Sequence, residues 1–283
     1  ATKNLRRDRV LKEDRVTIAT WKQANFKTDR LELDLLLSKV TGRSRAEIIA
    51  CPQMTLSNNQ VKRLNDDLRT LEAGTPFAYI VGKKEFFGIE LEISESVLVP
   101  RPETELLVEM ALKIAPKNAT LLDLGTGSGA IALAIAKERP DIKVSASDLS
   151  TSALEIARKN ARSLSLNLTF FHSNWYQSLP RDKWDLLVSN PPYVAENDPH
   201  LDALEKEPIE ALVSGTDGLK AIRQIVRGSS YFLNPQGHLL IEHGFNQSEA
   251  VSRIFAANSF ENIVSAKDYS GIERAKLGKF NGG

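Results

Sequence analysis

The chain has 283 residues, of which 42% are hydrophobic and 26% are charged, and its formal net charge is +1 at pH 7. This composition is that of a folded globular protein and excludes a disordered or fibrous chain, and the near-neutral charge argues against strong binding of nucleic acid through its phosphates. A single cysteine, Cys51, excludes an internal disulfide, and without an apolar run of bilayer length the chain is expected to be a cytoplasmic protein with no membrane association.

The first predicted elements are the helices of a small domain that covers residues 1–83. An apolar face at helical spacings runs through residues 31–40. Capping boxes that begin at Ser44 and Ser57 predict helix starts, because the first and fourth side chains of such a box satisfy each other's backbone donors. The charged residues before Val16 are expected to be a solvated helix face or a leader rather than an arm that binds nucleic acid.

A change of pattern at residue 84 predicts a β-hairpin over residues 84–100 that links this domain to a second one. From residue 101 to 283, strand-like and helix-like stretches alternate. This alternation predicts an α/β fold, a Rossmann-like domain with a seven-stranded, mostly parallel sheet and helices on both faces. The predicted strands cover residues 120–124, 143–147, 168–172, 184–189, 237–242, 262–267 and 275–280.

A glycine-rich turn follows the first predicted strand of this sheet and consists of Gly125, Thr126, Gly127, Ser128 and Gly129. Glycine lets a backbone and a ligand approach closely, and free N–H groups at the start of the next helix can meet a ligand. Asp148 follows the second strand, where such folds place an acid for ribose hydroxyls. Together the two features favour an adenosyl cofactor over a plain strand-to-helix turn. The spacing differs from the Gly-x-Gly-x-x-Gly of dinucleotide sites and resembles the loop that binds S-adenosylmethionine.

The fourth predicted strand ends in Asn190, Pro191, Pro192 and Tyr193. Ligands bind at the carboxyl edge of open α/β sheets, and two prolines make a stiff turn that holds its carbonyls outward. An amide or aromatic amine nitrogen is a poor nucleophile because its lone pair is delocalised. The Asn190 side-chain oxygen and the Pro191 carbonyl would accept its N–H groups, and Tyr193 would pack on the planar group. The motif therefore indicates methylation of such a nitrogen rather than a proline-rich loop that only ends a strand.

Longer motifs in both halves of the chain resemble one family. They cover residues 40–45, residues 74–76 with Gly82 and Phe86, and residues 98–105, 123–129, 189–193 and 241–244. On these motifs the chain, from about Thr28 onward, resembles the bacterial release-factor glutamine methyltransferases, the PrmC/HemK family. The resemblance implies methyl transfer from S-adenosylmethionine, with S-adenosylhomocysteine as product, to the side-chain nitrogen N5 of the glutamine in the Gly-Gly-Gln motif of peptide-chain release factors.

The resemblance also implies a role for each part of the chain. The helical domain would recognise the release factor, which is the expected protein partner, and methylation would modulate translation termination. Residues 125–129, Asp148, Trp175 and Asn190 would contact the cofactor, with Trp175 against the adenine. Residues 190–193 would hold the glutamine amide. Asn174 stands where many relatives carry Asp, so an amide oxygen rather than a carboxylate would accept from the adenine amino group.

Three other functions stay open at this point. The nearest alternative is an adenine or cytosine amino methyltransferase that acts on DNA or RNA, because the same turn suits the exocyclic amine of a flipped base. Such an enzyme usually needs a basic surface, which the net charge does not favour. A nicotinamide-dependent dehydrogenase would leave the turn at Asn190 unexplained, and a catalytically silent binding module would keep the fold without the reaction.

Several conspicuous residues are expected to be structural. The four histidines and Cys51 form no metal-ligand pattern, so no metal is expected. Glu242 and His243 resemble an acid–base pair but are interpreted as a structural pair at a strand end, outside the site. Aromatic residues at helical spacings are predicted to lie in the core: Trp21, Phe26, Phe232 and Phe255.

Overall fold

The computed structural model describes residues 15–282, and the chain divides into two compact units between Val81 and Gly82. The β-hairpin comes after this division and belongs to the second unit, whereas the sequence suggested a separate linker over residues 84–100. The charged leader before Val16 lies, except for Arg15, outside the described residues. No helix within residues 15–282 is long and apolar enough to cross a membrane.

Helices build the described part of the first unit: α1 (Ile18–Ala24), α2 (Arg30–Thr41), α3 (Arg45–Ala50), α4 (Asn58–Glu72) and α5 (Phe77–Val81). Both predicted capping boxes are confirmed, because Ser44 pairs with Glu47 at the start of α3 and Ser57 pairs with Gln60 at the start of α4. Gly42 ends α2 with a φ of 71°, the left-handed conformation that favours glycine.

The core of the first unit forms on the apolar face of α2. Leu36 and Leu37 are fully buried there and pack in one cluster with Trp21 of α1. Phe26, which was predicted to lie in the core, is 75% exposed, so that prediction is wrong. Because α1 ends at Ala24, the helical spacing that begins at Trp21 does not reach Phe26, and the phenyl ring points to solvent.

The second unit contains strands and helices in alternation. Its strands are β1 (Lys83–Phe86), β2 (Ile89–Glu92), β3 (Thr120–Leu124), β4 (Lys143–Asp148), β5 (Thr169–His172), β6 (Trp184–Ser189), β7 (Leu233–Glu242), β8 (Phe260–Lys267) and β9 (Glu273–Phe280). Its α-helices are α6 (Glu105–Ile114), α7 (Ala130–Glu138), α8 (Thr151–Ser163), α9 (Lys220–Ser229) and α10 (Ser248–Ala256). Short 3₁₀ helices cover Pro102–Thr104, Pro199–Leu204 and Ile209–Ala211.

The hairpin of β1 and β2 is attached to the rest of the second unit by Asn160 of α8. The two residues of the hairpin turn, Phe87 and Gly88, have positive φ values of 47° and 69°, as a type I′ turn requires. The Asn160 Oδ1 accepts from the Glu92 N–H at 2.7 Å, and its Nδ2 donates to the Glu92 carbonyl at 3.0 Å and to the Ser128 carbonyl at 2.9 Å. The same amide therefore joins the hairpin to the glycine-rich turn.

Within residues 82–282, the main sheet has seven strands in the order β5-β4-β3-β6-β7-β9-β8. All neighbouring strands pair in parallel except β9, which is antiparallel to both β7 and β8. This confirms the predicted α/β fold. Each predicted strand overlaps an observed one, and the differences lie at strand ends, as in β7, which begins at Leu233 rather than at residue 237.

The order of the strands places the two predicted motifs side by side. From β3 the chain continues outward to β4 and β5, whereas from β6 it continues outward in the other direction to β7. Right-handed crossovers in the two directions put helices on both faces of the sheet. Ligands bind at the carboxyl edge where the direction reverses. The glycine-rich turn follows β3 and Asn190 follows β6, so both lie at this switch point.

Candidate active site

The glycine-rich turn bends the chain sharply between β3 and α7. Gly125, Gly127 and Gly129 have φ values of 73°, 55° and 86°, in the left-handed region that favours glycine. A Cβ on Gly129 would stand 2.9 Å from Cδ1 of Leu133, closer than such atoms approach. Glycine at this position therefore allows α7 to begin directly after the turn.

Asp148, at the end of β4, braces this turn from the neighbouring strand. Its Oδ2 accepts from the Gly127 N–H at 2.8 Å, and its Oδ1 accepts from the Ser150 N–H at 2.9 Å. Burial raises the pKa of Asp148, and the backbone N–H groups oppose that shift. Each carboxylate oxygen has a second lone pair, so Asp148 can also accept from the hydroxyl groups of a ligand.

Asp123 lies within β3, directly before the turn, and is fully buried. Its Oδ2 accepts from the Thr126 hydroxyl at 2.6 Å, while its Oδ1 has no hydrogen-bond partner among residues 15–282. Burial raises the pKa of Asp123 to about 7. A buried carboxyl that is only partly satisfied is uncommon, and such groups concentrate at functional sites.

Trp175, which follows β5, packs its indole ring against the glycine-rich turn. A Cβ on Gly125 would stand 3.4 Å from Cζ3 of the indole, so the ring lies against this glycine. The indole Nε1 donates to Oε1 of Gln224 at 3.1 Å, and the Ser173 hydroxyl donates to the Trp175 carbonyl at 2.9 Å. These contacts hold the flat face of the ring in a fixed place next to the turn.

A cavity of about 510 Å³ opens at the carboxyl edge of the sheet, within the second unit. Its volume is in the range of small-molecule sites. The predicted cofactor-binding residues that line it are Gly125, Thr126, Gly127, Ser128, Asp148, Trp175 and Asn190. Gly129 does not line it. Of the other residues of the predicted amide site, Pro192 lines the cavity, and Pro191 and Tyr193 do not.

The turn at Asn190 is held by side chains from other parts of the second unit. The Asn190 Nδ2 donates to Oγ1 of Thr104 at 3.0 Å, and the Tyr193 hydroxyl donates to Oε1 of Glu242 at 3.1 Å. Burial raises the pKa of Tyr193, so the phenol stays protonated and remains a donor. Because the amide nitrogen of Asn190 is bonded to Thr104, the Oδ1 of Asn190 is the atom that can accept a hydrogen bond from a ligand.

Glu207 joins two chain segments that border the cavity. Its Oε2 accepts from the Val99 N–H at 3.1 Å, and its Oε1 forms an ion pair with Arg101. Pro100 and Pro208, which are adjacent in sequence to these groups, both line the cavity. The ion pair therefore fixes the spacing of the two segments.

Comparisons with known proteins cover both units. Residues 16–82 match the family described as PrmC N-terminal domain, and residues 102–211 match the Methyltransferase small domain family. A release factor glutamine methyltransferase of Coxiella burnetii is 43% identical over 256 residues, which are 89% of this chain and 92% of that protein. The chain belongs to the release factor glutamine methyltransferase family. Another member, from Burkholderia pseudomallei, is 44% identical over 265 residues, which are 90% of this chain and 93% of that protein.

Membership in the release factor glutamine methyltransferase family confirms the family and the enzyme class that the sequence indicated. Among solved structures, a methyltransferase from Pyrococcus furiosus has a TM-score of 0.55 and 17% identity, and the likeness covers 80% of this chain and 100% of that chain. At this identity the likeness bears on the fold alone, and it agrees with the α/β fold of the second unit.

Three residues that shape the site were not assigned to it from the sequence. Thr104 lies in a segment to which no role was given, and Glu242 was interpreted as structural. Glu242 had one usable signal, its position at the carboxyl end of a strand. Glu207 had none, because its partner Arg101 is 106 positions away in sequence. His243 is fully buried; its Nδ1 is bonded to the Gly244 carbonyl at 2.9 Å, and its Nε2 has no hydrogen-bond partner among residues 15–282.

Proposed function

We propose that this protein transfers the methyl group of S-adenosylmethionine to the side-chain amide nitrogen N5 of the glutamine in the Gly-Gly-Gln motif of peptide-chain release factors, and so modulates translation termination. One observation carries the proposal: Asn190 borders the cavity beside the glycine-rich turn with its amide nitrogen held by Thr104. The relatives named release factor glutamine methyltransferases indicate the substrate. We expect the protein to act in the cytoplasm, where release factors work.

The residues around the cavity fit S-adenosylmethionine on four observations. The fixed ring of Trp175 offers a flat surface for the adenine, and Asp148 has lone pairs left for the ribose hydroxyls. No described atom lies within 4 Å of a Cβ placed on Gly127, so the turn leaves open space for the rest of the molecule. Asn174 lines the cavity, and its amide oxygen can accept from the adenine amino group.

The protein's task is to make an amide nitrogen reactive and to aim it. When bound, the cofactor supplies an electrophilic methyl group on its sulfonium sulfur. The Asn190 Oδ1, which borders the cavity, and the Pro191 carbonyl, which is next to it in the turn but does not line the cavity, would accept the two N–H groups of a glutamine amide that enters beside the turn. These bonds would localise the nitrogen lone pair and orient it for methyl transfer. Holding two reactants in line in this way lowers the barrier by about 7–11 kcal/mol at best. The amide nitrogen gains the methyl group as the carbon–sulfur bond breaks, one N–H proton passes to water, and S-adenosylhomocysteine remains. No covalent intermediate with the protein is required.

The proposal is tested by following a labelled methyl group. The protein is incubated with methyl-labelled S-adenosylmethionine and, separately, a release factor, the same release factor with the motif glutamine changed to glutamate, duplex DNA, and RNA. We expect label on the unaltered release factor alone. Label on DNA or RNA but not on release factor would contradict the proposal and favour an adenine or cytosine amino methyltransferase. Absence of label on every substrate would favour a silent binding module.

A further inference from the structure

Glu242 lies beside Asn190 at the carboxyl edge of the sheet. The strands β6 and β7 are parallel, and Ser189 pairs with Ile241, so the next residues along, Asn190 and Glu242, are neighbours. Glu242 is only 2% exposed and does not line the cavity. Any influence of Glu242 on a bound substrate must therefore pass through the residues that it contacts.

Those contacts connect Glu242 to both ends of the turn at Asn190. Its Oε1 accepts from the Tyr193 hydroxyl at 3.1 Å. Thr104, a residue that is only 4% exposed, has its hydroxyl close enough to the same carboxyl to lower the pKa of Glu242. Thr104 in turn accepts from Nδ2 of Asn190 at 3.0 Å. Two hydrogen bonds, from Tyr193 to Glu242 and from Asn190 to Thr104, are thus brought together where the Thr104 hydroxyl meets the Glu242 carboxyl, and the four side chains form one series.

The charge of Glu242 sets the direction of the hydrogen bonds in this series. An ionised carboxylate only accepts, so the hydroxyl hydrogens of Tyr193 and Thr104 turn toward it. The oxygen of Thr104 is then left to accept from the amide nitrogen of Asn190. With its nitrogen engaged, Asn190 presents Oδ1 to the cavity. An acceptor at that place matches the N–H groups of an amide substrate.

We propose that Glu242 is a positioning residue whose carboxylate orients Thr104 and Tyr193 and thereby fixes Asn190 with its side-chain oxygen toward the substrate amide. The inference rests on the proposed function, because it names what keeps that site in its acceptor form. If Glu242 were only structural, its replacement would change stability without changing how catalysis depends on pH.

Protonation of Glu242 would reverse the direction of the hydrogen bond between Thr104 and Asn190. Burial raises the pKa of Glu242 to about 7, against the opposing effects of Thr104, Tyr193 and Arg274, and Glu103 raises it further. The Oε2 atom has no hydrogen-bond partner among residues 15–282 and is the place for the proton. A neutral Glu242 releases the Thr104 hydroxyl, which can then donate to Asn190 Oδ1 and turn the amide nitrogen toward the cavity. Turnover is therefore expected to rise with pH through about 7.

The decisive variant is Glu242→Gln, which keeps the size of the side chain and removes its titration. Release-factor methylation is measured from below to above neutral pH, together with the Kd for S-adenosylmethionine. We expect kcat to fall by about 10- to 100-fold, since small misplacements of reacting groups have effects of that order. The rise near neutral pH should disappear, and the Kd should stay as in the wild type.

A matched control neutralises a carboxyl at the other end of β6. Asp185 accepts from the Thr120 N–H at 2.8 Å and from Nδ2 of Asn234 at 2.8 Å, far along the strand from the turn at Asn190. Asp185→Asn is expected to lower stability while keeping the wild-type pH profile. If Glu242→Gln does not fold, Thr104→Val and Thr104→Ser decide the matter. Valine removes the hydroxyl and should reproduce the loss of kcat, whereas serine restores the hydroxyl and should recover most of it.

A second readout needs no turnover. The side-chain amide resonances of Asn190 in nitrogen-15 spectra should shift near neutral pH in the wild type and not in Glu242→Gln. Wild-type kcat and an unchanged pH profile in Glu242→Gln, or an Asn190 amide that does not respond to pH, would overturn the inference. If release factor is not methylated by the wild type, the proposed function fails, and the amide titration still tests the role of Glu242.

Discussion

The second unit buries polar side chains next to its cavity and does not satisfy all of them. Asp123, Asn160 and Glu242 are exposed by 0%, 1% and 2%. Asn160 makes three hydrogen bonds, whereas Asp123 and Glu242 each keep one oxygen without a partner among residues 15–282. An unpaired buried acceptor costs free energy of folding. The unpaired carboxyl oxygens of Asp123, beside the glycine-rich turn, and of Glu242, beside the turn at Asn190, therefore lower the stability of the folded protein.

Among single residues, Asn190 allows the effect on catalysis to be measured apart from the effect on cofactor binding, with the variant Asn190→Ala. Removing Oδ1 takes away one of the two acceptors for the substrate amide, so we expect kcat to fall by about 100-fold or more. The other residues that line the cavity remain, so the Kd for S-adenosylmethionine should change little. Titration calorimetry and steady-state kinetics measure the two quantities. Asn174→Ala should give the opposite pattern, and near-normal turnover in Asn190→Ala would remove that residue from the mechanism.

Asp123→Asn should change how stability depends on pH. The pKa of Asp123 is raised from 3.8 to about 7 in the folded protein. The folded state therefore holds the proton more tightly, and the associated stability is complete below pH 4 and is lost as pH rises through about 7. Asparagine has no such dependence. The unfolding free energy of the variant minus that of the wild type should rise by up to a few kcal/mol between these limits. Denaturant titrations at acid and mildly alkaline pH measure it, and a difference that does not vary with pH would contradict the burial argument.

At the scale of helices and strands, the sequence predicted those features that depend on residues close together along the chain. The capping boxes at Ser44 and Ser57 and the strand before the glycine-rich turn are local patterns, and the structure agrees with them. Contacts between distant segments carry no such periodic signal. Asn190 and Thr104 are 86 positions apart, and Asn160 and Glu92 are 68 apart.

The site shows the same division between local and distant information. The glycine-rich turn and the turn at Asn190 were found because each ends a predicted strand. Thr104 and Glu242 beside the turn at Asn190, and Glu207 beside the cavity, were missed because their roles depend on partners brought close only by the fold. The prediction that Phe26 lies in the core was wrong for a related reason, because helical spacing was applied beyond the end of α1 at Ala24.

Asn160 gives a test at the scale of elements. Its amide joins the hairpin to α8 and to the glycine-rich turn. Asn160→Ala therefore removes a donor from the part-buried Glu92 carbonyl and from the buried Ser128 carbonyl, and an acceptor from the Glu92 N–H. We expect a loss of roughly 1–3 kcal/mol for each group left unpaired, and weaker binding of S-adenosylmethionine. Chemical denaturation and titration calorimetry measure these effects. Asn258→Ala is the control, because Asn258 lies just after α10 and its Nδ2 donates to the Ile254 carbonyl of that helix, so its loss should leave cofactor binding unchanged.

At the scale of the whole molecule, each unit has its own core. The first is organised on Leu36 and Leu37 of α2, and the second on buried side chains of the sheet such as Leu187 and Leu239. All residues that line the cavity lie between Glu95 and Ala211, in the second unit. Binding of S-adenosylmethionine should therefore stabilise the second unit by mass action. The proposed role of the first unit, recognition of the release factor, can be tested apart from cofactor binding.

Leu37→Ala makes that test. Leu37 is fully buried, and its truncation should lower the stability of the first unit by roughly 2–5 kcal/mol. Cofactor affinity should be unchanged, while KM for the release factor should rise, because the first unit is the one proposed to recognise it. Leu187→Ala, in β6, is the matched control and should weaken cofactor binding, since it disturbs the strand that ends at Asn190. Calorimetric scans with and without S-adenosylmethionine, together with methylation kinetics, measure both variants. Equal losses of cofactor affinity in the two variants would contradict independent cores, and an unchanged KM in Leu37→Ala would remove the first unit from substrate recognition.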